Sequence, residues 1–247
     1  MKRWMAMVVA GVVALSVCAG AADEKKADEP KADAEKAAAK DKPQAKGEEK
    51  WRSLFDGKTL AGWKTTQFGA HAEPEVKDGQ LILPQGDPMT GVTRQKDDVP
   101  HVNYEVALEA QRVEGSDFFV GLTFPVQNAH ASLILGGWSG GVCGISSIDH
   151  MDASENSTSS YHQFQNGKWY KVRVRVLKDR LQAWLDDEQI VDADTEGKKL
   201  TVRVEVDPSR PFGFATYRTK AALKDIRIRE LTPEEVKAAA DGKEKGQ

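Results

Sequence analysis

The chain has 247 residues, 40% of them hydrophobic and 30% charged, with a formal charge of -3. That is enough for one sizeable core, too polar for a multi-spanning membrane protein and too rich in apolar runs for a wholly disordered one. A near-balanced charge gives no support to long-range capture of nucleic acid, and two cysteines exclude a disulfide-dense scaffold.

Residues 1–21 read as a secretory signal. Lys2 and Arg3 precede an apolar run from Met5 to Val17, and Ala19-Gly20-Ala21 supplies the small residues a signal peptidase accepts. The run is short for a bilayer span, so no transmembrane segment is expected after processing. Leu15-Ser16-Val17-Cys18 also resembles a bacterial lipoprotein box, which would tether the protein through Cys18. Export to the periplasm or cell envelope follows from either route. Cleavage after Ala21 shifts the charge to -5 and leaves Cys143 alone, so no intrachain disulfide can form. The apolar, glycine-rich surroundings of Cys143 predict a buried, inert thiol. Residues 22–50 are almost entirely Ala, Lys, Asp and Glu, with nine acids and eight lysines from Asp23 to Lys50. They have no apolar stripe to bury, which predicts an exposed tether.

Apolar patterning begins at Trp51 and fades after Leu231, defining one domain over 51–231. Inside it the period is two. Val172, Val174 and Val176 alternate with Lys171, Arg173 and Arg175, so one strand face is dry and the other wet. The same logic predicts strands at 75–83, 91–95, 103–111, 117–124, 131–135, 141–145, 172–176, 181–185, 189–191, 200–206, 212–216 and 223–229. In 103–111, Tyr104, Val106 and Leu108 face one way while Asn103, Glu105 and Glu109 face the other. The segments 118–124 and 131–135 are apolar on both faces, as expected of central strands with a partly covered groove outside. Two antiparallel sheets packed face to face satisfy both patterns, an all-β sandwich. Thr232-Pro233-Glu234-Glu235 predicts a short terminal helix within 232–247, followed by a flexible tail.

The irregular segment from Gly136 to Gly167 is the expected site of function, because long loops in compact sandwiches are disproportionately functional. Five glycines between Gly136 and Ile145 permit tight turns or close approach of a ligand. Trp138 either stacks on a sugar ring or plugs the sandwich end. Asp149, His150, Asp152, Glu155 and Asn156 fall within eight residues and suit sugar hydroxyls; the same oxygens could ligate Ca2+, although the spacing is not that of a helix-loop-helix calcium site. Tyr161 and His162 extend this polar character. A second cluster, His71, Glu73 and Glu75, lies around Pro74, and Arg94 and Arg218 are further candidates for hydroxyl or carboxylate contacts. Paired carboxylates are the usual machinery of glycoside cleavage, which makes Glu73, Asp149, Asp152 and Glu155, with His150, the candidate acids and bases. Zinc spacings and phosphate or dinucleotide loops are absent.

The opening Trp51-Arg52-Ser53-Leu54-Phe55-Asp56-Gly57-Lys58-Thr59-Leu60-Ala61-Gly62-Trp63 resembles that of the 3-keto-disaccharide hydrolase domain family. Glu75-Val76-Lys77-Asp78-Gly79-Gln80-Leu81 and Asn166-Gly167-Lys168-Trp169-Tyr170 resemble later elements of the same family, so the resemblance spans about 51–230. It implies a concanavalin A-like jelly roll and cleavage of glycosides oxidised at carbon 3. A keto group there acidifies the neighbouring C–H, and elimination then breaks the glycosidic bond with a base and a proton donor. The chain departs from the family's central pattern over 119–123 and 136–156. Two alternatives stand beside the enzyme: a non-catalytic carbohydrate-binding module and a structural or adhesive envelope domain.

Overall fold

A computed structural model describes residues 50–240. The expected signal, the lipidation site at Cys18, all but the last residue of the tether and the tail after Ala240 lie outside the described residues. Fifteen strands are described: β1 (Arg52–Ser53), β2 (Trp63–Thr65), β3 (Glu75–Lys77), β4 (Gln80–Leu83), β5 (Met89–Arg94), β6 (Tyr104–Gly115), β7 (Val120–Val126), β8 (Ala129–Gly136), β9 (Val142–Ser146), β10 (Ser160–Tyr161), β11 (Trp169–Val176), β12 (Arg180–Leu185), β13 (Glu188–Asp194), β14 (Gly213–Tyr217) and β15 (Thr219–Glu230). They form two antiparallel sheets. The first runs β13-β12-β11-β6-β15-β4-β3, with β1 beside β15; the second runs β10-β9-β8-β7-β14-β5-β2. This is the predicted jelly-roll sandwich.

The alternating residues meet between the layers. Val172, Val174 and Val176 pack with Tyr104, Val106 and Leu108 of the neighbouring strand against Leu122, Phe124, Leu133 and Phe214 of the other sheet. Burying such side chains contributes about 1.5–3 kcal/mol each, which drives the two-layer arrangement. Tyr104 is wholly buried, and its hydroxyl donates to the Pro125 carbonyl at 2.7 Å, so this polar group in the core is satisfied.

One predicted strand is not a strand. Val202-Arg203-Val204-Glu205-Val206 alternates as a strand would, but residues Val204–Ser209 form a 3-10 helix. Pro208 removes a ladder donor, and Val206 N–H instead donates to the Arg203 carbonyl at 3.1 Å. The segment lies across the outer face of the second sheet, with Val206 buried and Val204 exposed. The terminal helix Pro233–Ala240 is present and is capped as expected: Glu235 N–H donates to Thr232 Oγ1, and Thr232 N–H donates to a Glu235 carboxylate oxygen. Among the described residues, no helix is long and apolar enough to cross a membrane.

Cys143 is buried in the core on β9. Burial pushes its thiol up to about 11, since the thiolate is poorly solvated there. Native protein at pH 8 is therefore expected to resist a thiol-specific disulfide reagent that modifies the urea-unfolded chain within minutes; rapid labelling of the native state would contradict this burial.

Candidate functional site

The outer face of the second sheet is built from unusually small side chains, and the register aligns them in rows. Ser146, Ser132, Thr123, Gly213 and Thr93 form one row across five strands; Gly144, Ile134, Gly121, Ala215 and Gly91 form the next. The first row is covered by the 3-10 helix. There Thr93 donates to the Pro208 carbonyl at 3.1 Å, and Thr123 and Ser132 share a hydrogen bond of 2.9 Å. The second row carries aromatic rings. A Cβ on Gly121 would lie 3.0 Å from the Phe118 ring, so this glycine provides space for a ring laid on the sheet; one on Gly91 would lie 2.3 Å from the Phe214 carbonyl and 2.8 Å from the Phe68 ring, so that glycine admits the neighbouring backbone as well as a ring.

Beside the 3-10 helix this second layer leaves a groove of about 300 Å3. Its floor is Met89, Phe118, Ile134, Ser146, Val206 and Tyr217; its rim is Asp117, Trp138, Arg203 and Glu205. Phe118 and Tyr217 lie 5.9 Å apart between centroids and are inclined by 33°, which presents a broad apolar surface. The Arg218 guanidinium sits 5.6 Å from the Tyr217 ring, at the edge of this floor.

Trp138 stands over the groove on a strained turn. Trp138 (φ 49°, ψ 59°) and Ser139 (φ 70°, ψ 23°) are consecutive left-handed residues between Gly136 and Gly140, which also have positive φ. For non-glycine residues this conformation costs about 1–3 kcal/mol each and persists only where surrounding contacts hold it. Asp117 is one clamp: its carboxylate accepts the Ser139 N–H at 3.1 Å and the Phe118 N–H at 2.8 Å. Arg112 is the other. Buried behind the turn, it donates to the carbonyls of Gly140 and Phe164 and to Asn166 Oδ1. Trp138 is thus held 41% exposed. It does not plug the sandwich; it lines the groove. Gly137-Trp138-Ser139-Gly140-Gly141 also has the glycine-x-serine-x-glycine spacing of a hydrolase nucleophile elbow. Here the run joins antiparallel β8 to β9, not a strand to a helix, so the structural context of that elbow is missing.

The residues singled out from sequence are not gathered in one place. Of the polar cluster, Asp152 alone reaches the groove rim, by accepting from Arg203 at 2.7 Å; Arg203 also pairs with Glu205 at 2.7 Å. The hydrogen bonds from Arg203 hold Glu205 below the usual carboxylate range, against a smaller opposing effect of burial. Asp149 turns to Lys198 at 3.0 Å and accepts the Lys199 N–H at 2.9 Å, which lowers its pKa, the backbone bond first. His150 and Glu155 are exposed on the loop and do not line the groove. Asn156 is a buried keystone. Its amide donates to the carbonyls of Ile145, Met151 and Asp152, and its oxygen accepts from Thr158 N–H and Oγ1. These bonds use the side chain's whole capacity, so Asn156 shapes the loop.

Elsewhere, His71 Nε2 lies 3.4 Å from Glu73, which also accepts from Thr65; this pair is outside the groove. Arg94 is buried, paired with Asp98 at 2.7 Å and placed over Trp63. His162 packs against Phe164, with ring centroids 4.8 Å apart, and Tyr161 projects from edge strand β10. Among the described residues, no three His, Cys, Asp or Glu are placed to hold a metal ion. Asp149 and Asp152, considered above as calcium ligands, face lysine and arginine instead. Sequence reasoning placed Phe118 in a segment beside a groove but missed Asp117, Tyr217, Arg203 and Glu205 as groove residues.

Known proteins place this geometry in context. Solved structures of similar fold include a chain from the human gut bacterial endo-acting O-glycanases that initiate mucin breakdown (TM-score 0.50, 11% identity, 70% of this chain and 94% of that one). A Bacillus subtilis protein of unknown function with a galectin-like fold is similar over 69% of this chain and 90% of its own (TM-score 0.50, 8% identity). The carbohydrate-binding module CBM66 of Bacillus subtilis is similar over 68% of this chain and 96% of its own (TM-score 0.49, 12% identity). At such identities the likeness is one of fold. No curated protein sequence matches the chain. The model of the 3-keto-alpha-glucoside-1,2-lyase-like domain family matches residues 50–229, and the chain belongs to that family as a carbohydrate-active jelly-roll domain.

Proposed function

We propose that the groove on the second sheet binds a saccharide of about disaccharide size, with one ring on Phe118 and Tyr217 and Trp138 as its side wall. The observation that carries this reading is the turn at Trp138. Two left-handed residues and two clamps maintain a large aromatic side chain half exposed over an apolar floor, and such strain clusters at functional sites. A pyranose presents an apolar face to aromatic rings and hydroxyls to a polar rim, and here Asp117, Arg203 and Glu205 supply that rim. Maltose and its 3-keto form are the probes suggested by the family's α-glucoside description. Titration calorimetry is expected to show saturable binding that Trp138→Ala weakens roughly tenfold. Equal affinity in the variant would reject the site. The signal-like residues 1–21 support an exported protein, with Cys18 as the point of lipid attachment if the box is used.

The family match favours a second reading, cleavage of 3-keto-glycosides in the same groove. The keto group at carbon 3 acidifies the C2–H. A base takes that proton, the electron pair forms a C1–C2 double bond, and the C1–O bond breaks with its electrons on the departing oxygen, which is then protonated. Glu205 is the more exposed of the two rim carboxylates; both of its oxygens accept from Arg203, at 2.7 and 3.2 Å, as both oxygens of Asp117 accept backbone N–H bonds. Arg203 lowers the basicity of Glu205, which is why the geometry supports binding more strongly than proton abstraction. In a sugar-release assay with 3-keto-maltose, Glu205→Gln is expected to slow turnover at least about 100-fold, within the usual range for a lost general base. Unchanged turnover would remove Glu205 from the reaction.

A further inference from the structure

We infer that the binding face continues beyond the groove over Tyr161 and takes an oligosaccharide of three or more sugar residues. This rests on the saccharide reading above and adds chain length to it. Among the described residues, the exposed large apolar side chains are Trp138, Met151, Tyr161 and Val204. Isolated residues of this kind are ordinary on a surface. Trp138 and Val204 come from the β8–β9 turn and the 3-10 helix, two segments that border the groove; Met151 and Tyr161 come from the loop and edge strand after β9, where Asp152 pairs with the rim residue Arg203.

Tyr161 is 78% exposed, yet its ring is seated. A Cβ on Gly141 would overlap ring atoms Cε2, Cζ and Cδ2, so the phenol lies against bare glycine backbone. Gly141 has φ -130°, a value open to any residue. Glycine is needed there for the ring's space, not for the bend. The register places this platform next to the groove. Tyr161 pairs with Val142, and Val142 bridges Gly137, the residue before Trp138. By strand alternation Val142 shares its sheet face with Gly144 and Ser146, and Ser146 lines the groove. Two strand spacings, about 10 Å, separate the Tyr161 backbone from the turn that carries Trp138. One sugar ring cannot cover both aromatics, whereas a chain leaving the groove past Trp138 meets Tyr161 next.

The test is titration calorimetry of the whole chain with maltose, maltotriose and maltotetraose, each unoxidised and 3-keto at its terminal unit. The wild type is expected to bind the tetrasaccharide about fivefold or more tighter than the disaccharide, the scale of one added stacking contact. Tyr161→Ala removes that gain and leaves disaccharide affinity within about twofold. Gly141→Ala does the same by unseating the ring, without touching the tyrosine. Thermal unfolding of each variant is followed in parallel; if Gly141→Ala is unfolded, Tyr161→Ala alone decides. Affinity independent of chain length, or a gain that survives both substitutions, overturns the extended site. Disaccharide binding that depends on Trp138 but shows no such gain overturns the extension only, whereas absence of binding for every sugar overturns the groove reading with it.

Discussion

Glu105→Ala is expected to lower folding free energy by about 3–5 kcal/mol, the usual consequence of removing one partner from a buried ionic cluster. Glu105 lies on β6 in the middle of the first sheet and is 1% exposed. Its Oε1 accepts from Arg173 at 2.8 Å and Arg175 at 2.7 Å, and its Oε2 accepts from Arg229 at 2.8 Å. Arg229 in turn donates to Glu235 on the terminal helix. The carboxylate therefore joins three strands and orders the guanidiniums that stack on Trp184, the nearer at 3.6 Å. Without it, buried guanidinium charge loses its counter-ion, a larger effect than the loss of one hydrogen bond. The pH dependence has a definite sign. Burial pushes the Glu105 pKa up, but the attraction of Arg175, Arg229 and Arg173 together outweighs it and holds the group below the usual value. A depressed folded pKa contributes stability above the unfolded value of about 4.3, and that contribution is lost as pH falls through the folded value. Urea midpoints should therefore differ strongly between wild type and Glu105→Ala at pH 7, draw together as pH falls below about 4.3, and meet only below the depressed folded value. A gap that persists undiminished at low pH would mean that packing, not charge, accounts for the loss.

Glu105 also marks where the sequence pattern stops being informative. Period-two alternation places Tyr104, Val106 and Leu108 in the core and Glu105 on the opposite face, and the structure agrees on direction. Alternation says which side a residue faces, but not whether that side is wet. The arginines that cover Glu105 lie about 70 and 124 positions away in the chain, on neighbouring strands. No local pattern brings them together. The error at 200–206 has a related cause. Alternating valines report one dry side, and a 3-10 segment crossing an apolar groove face needs that as much as a strand does. Pro208 was the signal against an extended ladder.

For the site, the glycine-framed run at 136–141 and the doubly apolar strands 118–124 and 131–135 indicated a groove outside the second sheet, and Trp138 is in it. The polar cluster at 149–156 carried less. Acids concentrated in a loop have local uses, and Asn156, Asp152 and Asp149 serve them through backbone amides and nearby cations. The carboxylate that shapes the groove, Asp117, is a single acid before Phe118-Phe119. Its partner Ser139 is 22 residues away, so its role depends on a turn whose geometry is not written in composition.

Asp117→Ala is accordingly expected to weaken saccharide binding roughly 10- to 100-fold while leaving the fold intact. The carboxylate bond to Ser139 N–H is charge-assisted, of a kind that contributes about 1.5–3 kcal/mol. It opposes the strain of two left-handed residues of about 1–3 kcal/mol each. Removing it lets the turn relax until only a few per cent of molecules present Trp138 over the groove, and apparent affinity falls by that fraction. Because the turn lies at the surface and the core lies between the sheets, the thermal midpoint should change little. Indole fluorescence should report the altered surroundings of Trp138. Ser139→Gly added to Asp117→Ala is the decisive arm. Glycine adopts the left-handed conformation without the Cβ penalty, so the double variant should recover roughly fivefold in affinity. Asp117→Asn should fall between, since the amide keeps one acceptor oxygen and loses the charge. If the double variant binds no better than Asp117→Ala, Asp117 acts by touching the sugar and the turn is not under its control.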